Sequence, residues 1–193
     1  MAAQHRGLAA MARVPYIGPE QVAEQYRSLV ARPANLFKAL GNSPEGLHSF
    51  GRLGGFIRHD STLDHRLREL AILQVGYQTR TAYEWTHHIK LAMAEFGVSA
   101  EDIRDIAAET DGRPNALAPF DRVVLRAARE MTSSLAITDA TWAELSRELS
   151  PEHLVDLVLT IGYYNLVVRV LQTLQVDVEA DYDQYLAEFP LPQ

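Results

Sequence analysis

The chain has 193 residues, 47% hydrophobic and 22% charged, the proportions of one globular domain rather than of a disordered or fibrous chain. It contains no cysteine, which excludes thiol nucleophiles, disulfides, Cys-ligated zinc and iron–sulfur clusters. With 25 Asp plus Glu against 18 Lys plus Arg the net charge is -7, and no basic run offsets it, so nucleic acid is not an expected partner.

Helix signals follow one another along the chain, and strand signals do not. Residues 1–17, alanine-rich with Arg6 and Arg13, lack the continuous apolar run of a signal peptide and read as a frayed arm or a short exposed helix. Gly18-Pro19-Glu20 opens a helix to about Ala31, stopped near Pro33. Ser43-Pro44-Glu45 is an N-cap with proline at the first helical position, and its helix reaches about His59. Within it, Gly51-Arg52-Leu53-Gly54-Gly55 follows no strand, so it reads as close helix packing or a kink rather than a phosphate loop. Ser61 with Asp64 resembles a capping box. The helix behind it carries Leu63, Leu67, Leu70 and Tyr77 on one face. From Leu70 to Tyr77 it has no charge and is apolar almost all round, the pattern of a buried helix.

The next helix runs from about Thr81 to Phe96 and stops at Gly97. Ser99 and Asp102 cap another, to about Glu109, before the loop Asp111-Gly112-Arg113-Pro114. Helices follow from about Ala118 to Ser133, from Thr138-Asp139 to about Leu149, and from Ser150-Pro151-Glu152 to about Leu174. The charge-free stretch of the last, Leu157 to Val168, is shorter than the roughly 20 residues of a membrane span and predicts a core helix, with no membrane partner. Residues 18–177 therefore predict a single all-α helical bundle. Residues 178–193 form an acidic, aromatic tail with Tyr182, Tyr185 and Phe189, expected to pack on the body or on a neighbouring subunit.

The segment that carries chemistry lies in the helix from Thr81. At about 100° per residue, Ala82, Trp85, Ile89, Ala92 and Phe96 form its core stripe. Thr81, Glu84 and His88 are spaced three and four apart and share a face that borders that stripe. His88 is thus expected half-buried beside a carboxylate, and His87 solvated on the far side. Glu69 sits where the charge-free run begins, and antiparallel packing of the two helices could bring it to Thr81, Glu84 or His88. A carboxylate raises an imidazole pKa and burial lowers it, a balance suited to a proton shuttle. A Glu/His pair at this spacing is also a common boundary salt bridge, so the pattern by itself leaves catalysis and structure open.

At these residues the chain resembles the carboxymuconolactone decarboxylase family, whose wider superfamily includes the alkylhydroperoxidase AhpD. The resemblance runs from about Asn35 to Asp177. It centres on Arg66-Leu67-Arg68-Glu69-Leu70-Ala71-Ile72-Leu73, then Tyr83-Glu84-Trp85, His88, Ala92 and Gly97-Val98-Ser99, with later echoes at Asp139-Ala140-Thr141-Trp142 and Gly162-Tyr163-Tyr164-Asn165. The peroxidase branch carries Cys-x-x-Cys-x-x-x-His; here Thr81 and Glu84 stand at the cysteine positions and His88 remains. Thiol peroxidase chemistry is closed to such a chain, and the decarboxylase-like branch stays open. The resemblance implies an AhpD-like homo-oligomer, trimer or hexamer, with sites near subunit interfaces.

What it implies chemically is a cofactor-independent lyase, or a related isomerase or lactone-processing enzyme, acting on a small cyclic carboxylate or lactone. A conjugated lactone supplies its own electron sink, so no cofactor is required. His88 is then the proton donor, with Glu84 and Glu69 orienting it. Thr81, Trp85, Arg52 and Asn165 are the candidate substrate contacts. A cation must offset the two carboxylates, and Arg52, Arg58, Arg66, Arg68 and Arg80 are near in sequence. Tyr163, Tyr164 and Asn165 interrupt a buried helix, so their polar atoms need partners, either in a pocket or inside the protein.

Two rival readings remain. Glu45-Gly46-Leu47-His48 and Glu84-Trp85-Thr86-His87 are both E-x-x-H, a di-iron bundle signature, although no metal ligand is assigned. The other rival is a non-catalytic oligomer that binds a small ligand. The missing cysteine fits a reducing compartment, and the cytoplasm is the expected location.

Overall fold

A computed structural model describes residues 12–192, so the arm expected over 1–17 lies partly outside the described residues. The fold is all-α. Its helices are α1 (Arg27–Val30), α2 (Asn35–Leu40), α3 (Pro44–Gly55), α4 (His65–Gln78), α5 (Ala82–Glu95), α6 (Ala100–Thr110), α7 (Pro119–Ser134), α8 (Asp139–Glu148), α9 (Pro151–Leu174) and α10 (Asp183–Glu188). A π-helical turn, Phe56–Asp60, continues α3.

α4 is the hub. Every residue from Arg68 to Tyr77 on it is buried, as its charge-free pattern predicts, and it packs against α5, α7 and α9. Leu70, Leu73 and Tyr77 join Trp85, Ile89 and Ile103 in one apolar cluster. Ala71, Ile72 and Val75 join Val124, Leu157 and Ile161 in the other. Each large apolar side chain buried in these clusters contributes about 1.5–3 kcal/mol. Gly76 lets α4 and α5 meet closely, because a Cβ there would lie 3.2 Å from the backbone nitrogen of Trp85. Arg80 takes a left-handed conformation (φ 53°) in the tight turn between the two helices. That approach sets Glu69 of α4 against His88 of α5.

α9 is long and apolar enough to cross a membrane by length and composition, yet 56% of its most apolar window is buried inside the fold. Leu157, Ile161, Tyr164 and Val168 put it in the core.

Ser99, Thr138 and Ser150 cap α6, α8 and α9 as their spacing predicts. Two local expectations are corrected. Residues 18–31 are not one helix but two 3-10 turns, Pro19–Gln21 and Glu24–Tyr26, followed by the single turn α1. Only Tyr26 and Val30 of these elements are buried, too short an apolar face to fix a long helix. The cap of α4 is Asp64, which accepts from the Leu67 amide, whereas Ser61 donates to Asp156 at 2.6 Å. The tail lies against the body: Phe189 is buried, and its carbonyl accepts from Trp85 Nε1 at 2.7 Å.

Candidate active site

Two helix faces build the site. Glu69 on α4 is fully buried, and His88 on α5 is 8% exposed. His88 Nδ1 donates to Oε2 of Glu69 at 2.6 Å. On its other side, His88 Nε2 lies 3.0 Å from Oε1 of Glu84, at ion-pair distance but without hydrogen-bond alignment, so Oε1 has no hydrogen-bond partner among the described residues. Behind Glu69, Arg68 Nε donates to Oε1 at 3.1 Å. Arg68 is itself buried. Its Nη1 donates to the carbonyl of Arg58 at 3.2 Å, and its guanidinium stacks on Phe96 at 4.6 Å. The order from core to cavity is therefore cation, carboxylate, imidazole, carboxylate.

Burial alone would push the His88 imidazole down. The negative charges of Glu69 and Glu84 outweigh it and hold the group up to about 9, so it is an imidazolium at neutral pH. Burial alone would raise Glu69, but the charges and hydrogen bonds of His88 and Arg68 win and its carboxyl lies below the usual range. With Arg68 counted, the four charges sum to zero, which is how so many ionised groups share one buried site.

His88 and Glu84 face a cavity of about 520 Å³, large enough for a small ring compound. Phe37, Phe50, Tyr83, Tyr163, Tyr164 and Tyr182 give it aromatic walls, and Arg32, Arg58 and Lys90 supply positive charge. Arg58 comes from the π-helical turn, a backbone irregularity common at functional sites. Lys90 is paired with Asp181. Arg32 lies over the Phe37 ring, and neither Arg32 nor Arg58 has a carboxylate partner among the described residues.

The structure brings together Glu69, Glu84 and His88, and it does not bring the four expected substrate contacts to the cavity. Thr81 is buried in the α4–α5 turn, where it bonds Thr79 and Gln172. Trp85 is 1% exposed, packed on Tyr77 and tied to the Phe189 carbonyl, because it lies on the core stripe. Arg52 is exposed on α3, outside the cavity lining. Asn165 is turned to α7, where its amide donates to Thr132 at 3.0 Å. Of the other arginines, Arg66 bridges Asp102 and Asp121, and Arg68 backs Glu69.

His87 is the other correction. It is not solvated; it is stacked between Tyr83 (4.0 Å between ring centroids) and Tyr182 (3.8 Å), with Nε2 3.0 Å from Glu179. The tail residues that cover it lie far away in sequence, so the helical wheel could not show them. With Glu45 bonded to Tyr26 and His87 to Glu179, the two E-x-x-H pairs are engaged separately. No group of three metal-binding side chains occurs among the described residues.

Residues 44–121 match the model of the Carboxymuconolactone decarboxylase family. No curated protein matches the chain in sequence. Among solved structures, the fold is similar to the debrominase Bmp8 in complex with 2,3,4-tribromopyrrole, at 19% identity over 81% of this chain and 82% of that one, with a TM-score of 0.69. It is equally similar to an alkylhydroperoxidase AhpD core protein, uncharacterized and peroxidase-related, from Ralstonia eutropha (14% identity, 96% and 100% covered, TM-score 0.69). A peroxidase-related protein from Silicibacter sp. is also close in fold (18%, 94% and 96%, TM-score 0.68). These likenesses establish an AhpD-like fold. Through residues 44–121 the chain is similar to the carboxymuconolactone decarboxylase family, and the absence of cysteine from its sequence is consistent with a cysteine-free branch of it.

Proposed function

We propose that this protein is a cofactor-independent acid–base enzyme that decarboxylates a small cyclic carboxylate or lactone, or carries out a related isomerisation or lactone reaction. The observation that carries the reading is the Glu69–His88–Glu84 array, an imidazolium held between two carboxylates with His88 and Glu84 facing the cavity. In the decarboxylation, the bond from ring carbon to carboxylate breaks and its electron pair enters the conjugated carbonyl. CO2 leaves, and the His88 imidazolium delivers its proton to the carbon as the carbonyl re-forms. Glu69 fixes the ring through Nδ1 and stabilises its charge. Glu84, with one oxygen unpartnered, returns a proton to His88 or takes one from the substrate in an isomerisation. Arg32 and Arg58 offset the substrate's negative charge. The aromatic walls and the size of the cavity suit a planar ring, and the debrominase of similar fold was solved with a substituted pyrrole.

The test is a turnover screen by proton NMR in D2O against cyclic carboxylates and unsaturated lactones. Glu84→Gln is expected to lower kcat by about 10²–10⁴-fold with its helical circular dichroism intact. Turnover retained in that variant would remove Glu84 from the chemistry.

The homo-oligomer and the cytoplasmic location belong to the same proposal. Val155, Leu159 and Leu166 are exposed apolar residues at helical spacing on α9, a stripe that a second copy would cover. Sedimentation equilibrium is expected to give a mass above that of one chain, and a monomer at micromolar concentration would contradict it.

A further inference from the structure

Among the buried tyrosines of the cavity wall, the fold satisfies two hydroxyls and leaves one free. Tyr83 donates to Glu179 at 3.2 Å and accepts from the Leu36 amide. Tyr163 donates to the Phe50 carbonyl at 3.1 Å, reached because Gly54 has no side chain in its way. Tyr164 is 4% exposed, lines the same cavity, and has no hydrogen-bond partner among the described residues. The hydroxyl is not one of the fully buried unpaired side-chain atoms, so it stays accessible from the cavity that Tyr164 lines, where a bound molecule can reach it. The ring stands edge-to-face against His88, 4.9 Å between centroids at 87°, so the hydroxyl belongs to the same wall as the proton-transfer array. Burial first, and then the charges of Glu84 and Glu69, keep this phenol well above its ordinary range, so it is a donor that does not ionise.

We propose that the Tyr164 hydroxyl donates a hydrogen bond to the substrate's carbonyl oxygen, the oxygen that becomes an enolate when the adjacent conjugated carbon loses CO2 or a proton. The inference rests on the acid–base reading above and deepens it: the substrate class is a conjugated cyclic carbonyl compound, and Tyr164 is a further catalytic residue. The electron pair released at carbon moves onto the carbonyl oxygen. Tyr164 keeps its own proton and shares it as a hydrogen bond, while His88 supplies the proton that carbon takes up. A donor aimed at developing negative charge in a buried site is the arrangement that lowers such a barrier.

The probe is tetronate, a planar lactone enolate at neutral pH, compared with the uncharged 2(5H)-furanone by titration calorimetry on the full chain. The expected result is that Tyr164→Phe loses about 10–100-fold in tetronate affinity and changes furanone affinity far less, because a hydrogen bond to a charged oxygen is the stronger one. Wild-type protein that does not bind tetronate, or a Tyr164→Phe variant that binds it unchanged, overturns the proposal. If Tyr164→Phe does not fold, 3-fluorotyrosine placed at position 164 keeps the ring and reports by 19F NMR. Its resonance must move when tetronate is added, and a resonance that does not move overturns the proposal as well. The two readings separate cleanly. A tetronate loss in Tyr164→Phe with turnover unaffected by His88→Gln keeps the donor and sinks the acid–base array, and the converse pattern sinks the donor alone.

Discussion

His88→Gln is expected to lower turnover by about 10²–10⁴-fold, the contribution of a positioned general acid, and to flatten the dependence of stability on alkaline pH. In the folded protein the imidazolium persists up to about 9, whereas in the unfolded chain it deprotonates near the ordinary 6.5. Its stabilisation is therefore complete below pH about 6.5 and is lost as pH rises through about 9. Converted through that difference, the loss is on the order of 3 kcal/mol. Urea denaturation of the wild type between pH 6 and 10 is expected to show this decline, and His88→Gln is expected to lack it. On the proposed acid–base reading, the same group is expected to set the alkaline limb of kcat/KM near pH 9, where the proton donor disappears. A wild-type stability that does not fall over this range would mean that His88 is neutral and cannot be the acid.

Arg68→Met is the second large effect. It removes the buried cation behind Glu69 and leaves the carboxylate facing the imidazolium alone. Breaking one partner of a buried pair costs about 3–5 kcal/mol, which for a domain of this size lowers Tm by roughly 6–20 °C. Two further losses add to it: the hydrogen bond to the Arg58 carbonyl that steadies the π-helical turn, and the stacking on Phe96. Arg68→Met combined with Glu69→Gln is expected to recover part of the stability, because the stranded charge is gone, while activity stays low. Thermal unfolding of the two variants side by side checks this. A double variant no more stable than Arg68→Met would mean that packing, and not charge, holds Arg68 in place.

Much of the helix map was legible in the sequence because the signals are local. Ser99 with Asp102, Thr138 and Ser150 announce α6, α8 and α9, and each cap makes its hydrogen bond within its own first turn. The charge-free run of α4 announces burial in the same way. α2 was not legible, because one cap for its first amide comes from Glu179, 144 residues away, at 2.6 Å. α10 gave no local signal either, since Phe189 is held by α5 and by Trp85.

The candidate site divides along the same line. Spacing along one helix puts Glu84 beside His88, and this the sequence determined by itself, together with the absence of a thiol and hence of peroxidase chemistry by that route. Only the tertiary structure decided the rest. It placed Glu69 against Nδ1, Arg68 behind Glu69, and Arg58 of the π-helical turn and Tyr164 of α9 in one cavity. It also moved Thr81, Trp85, Arg52 and Asn165 out of that cavity. The physical reason is that a helical wheel fixes directions around one axis, whereas a cavity is made where several axes cross, and the crossing is set by contacts as close as Gly76 on Trp85.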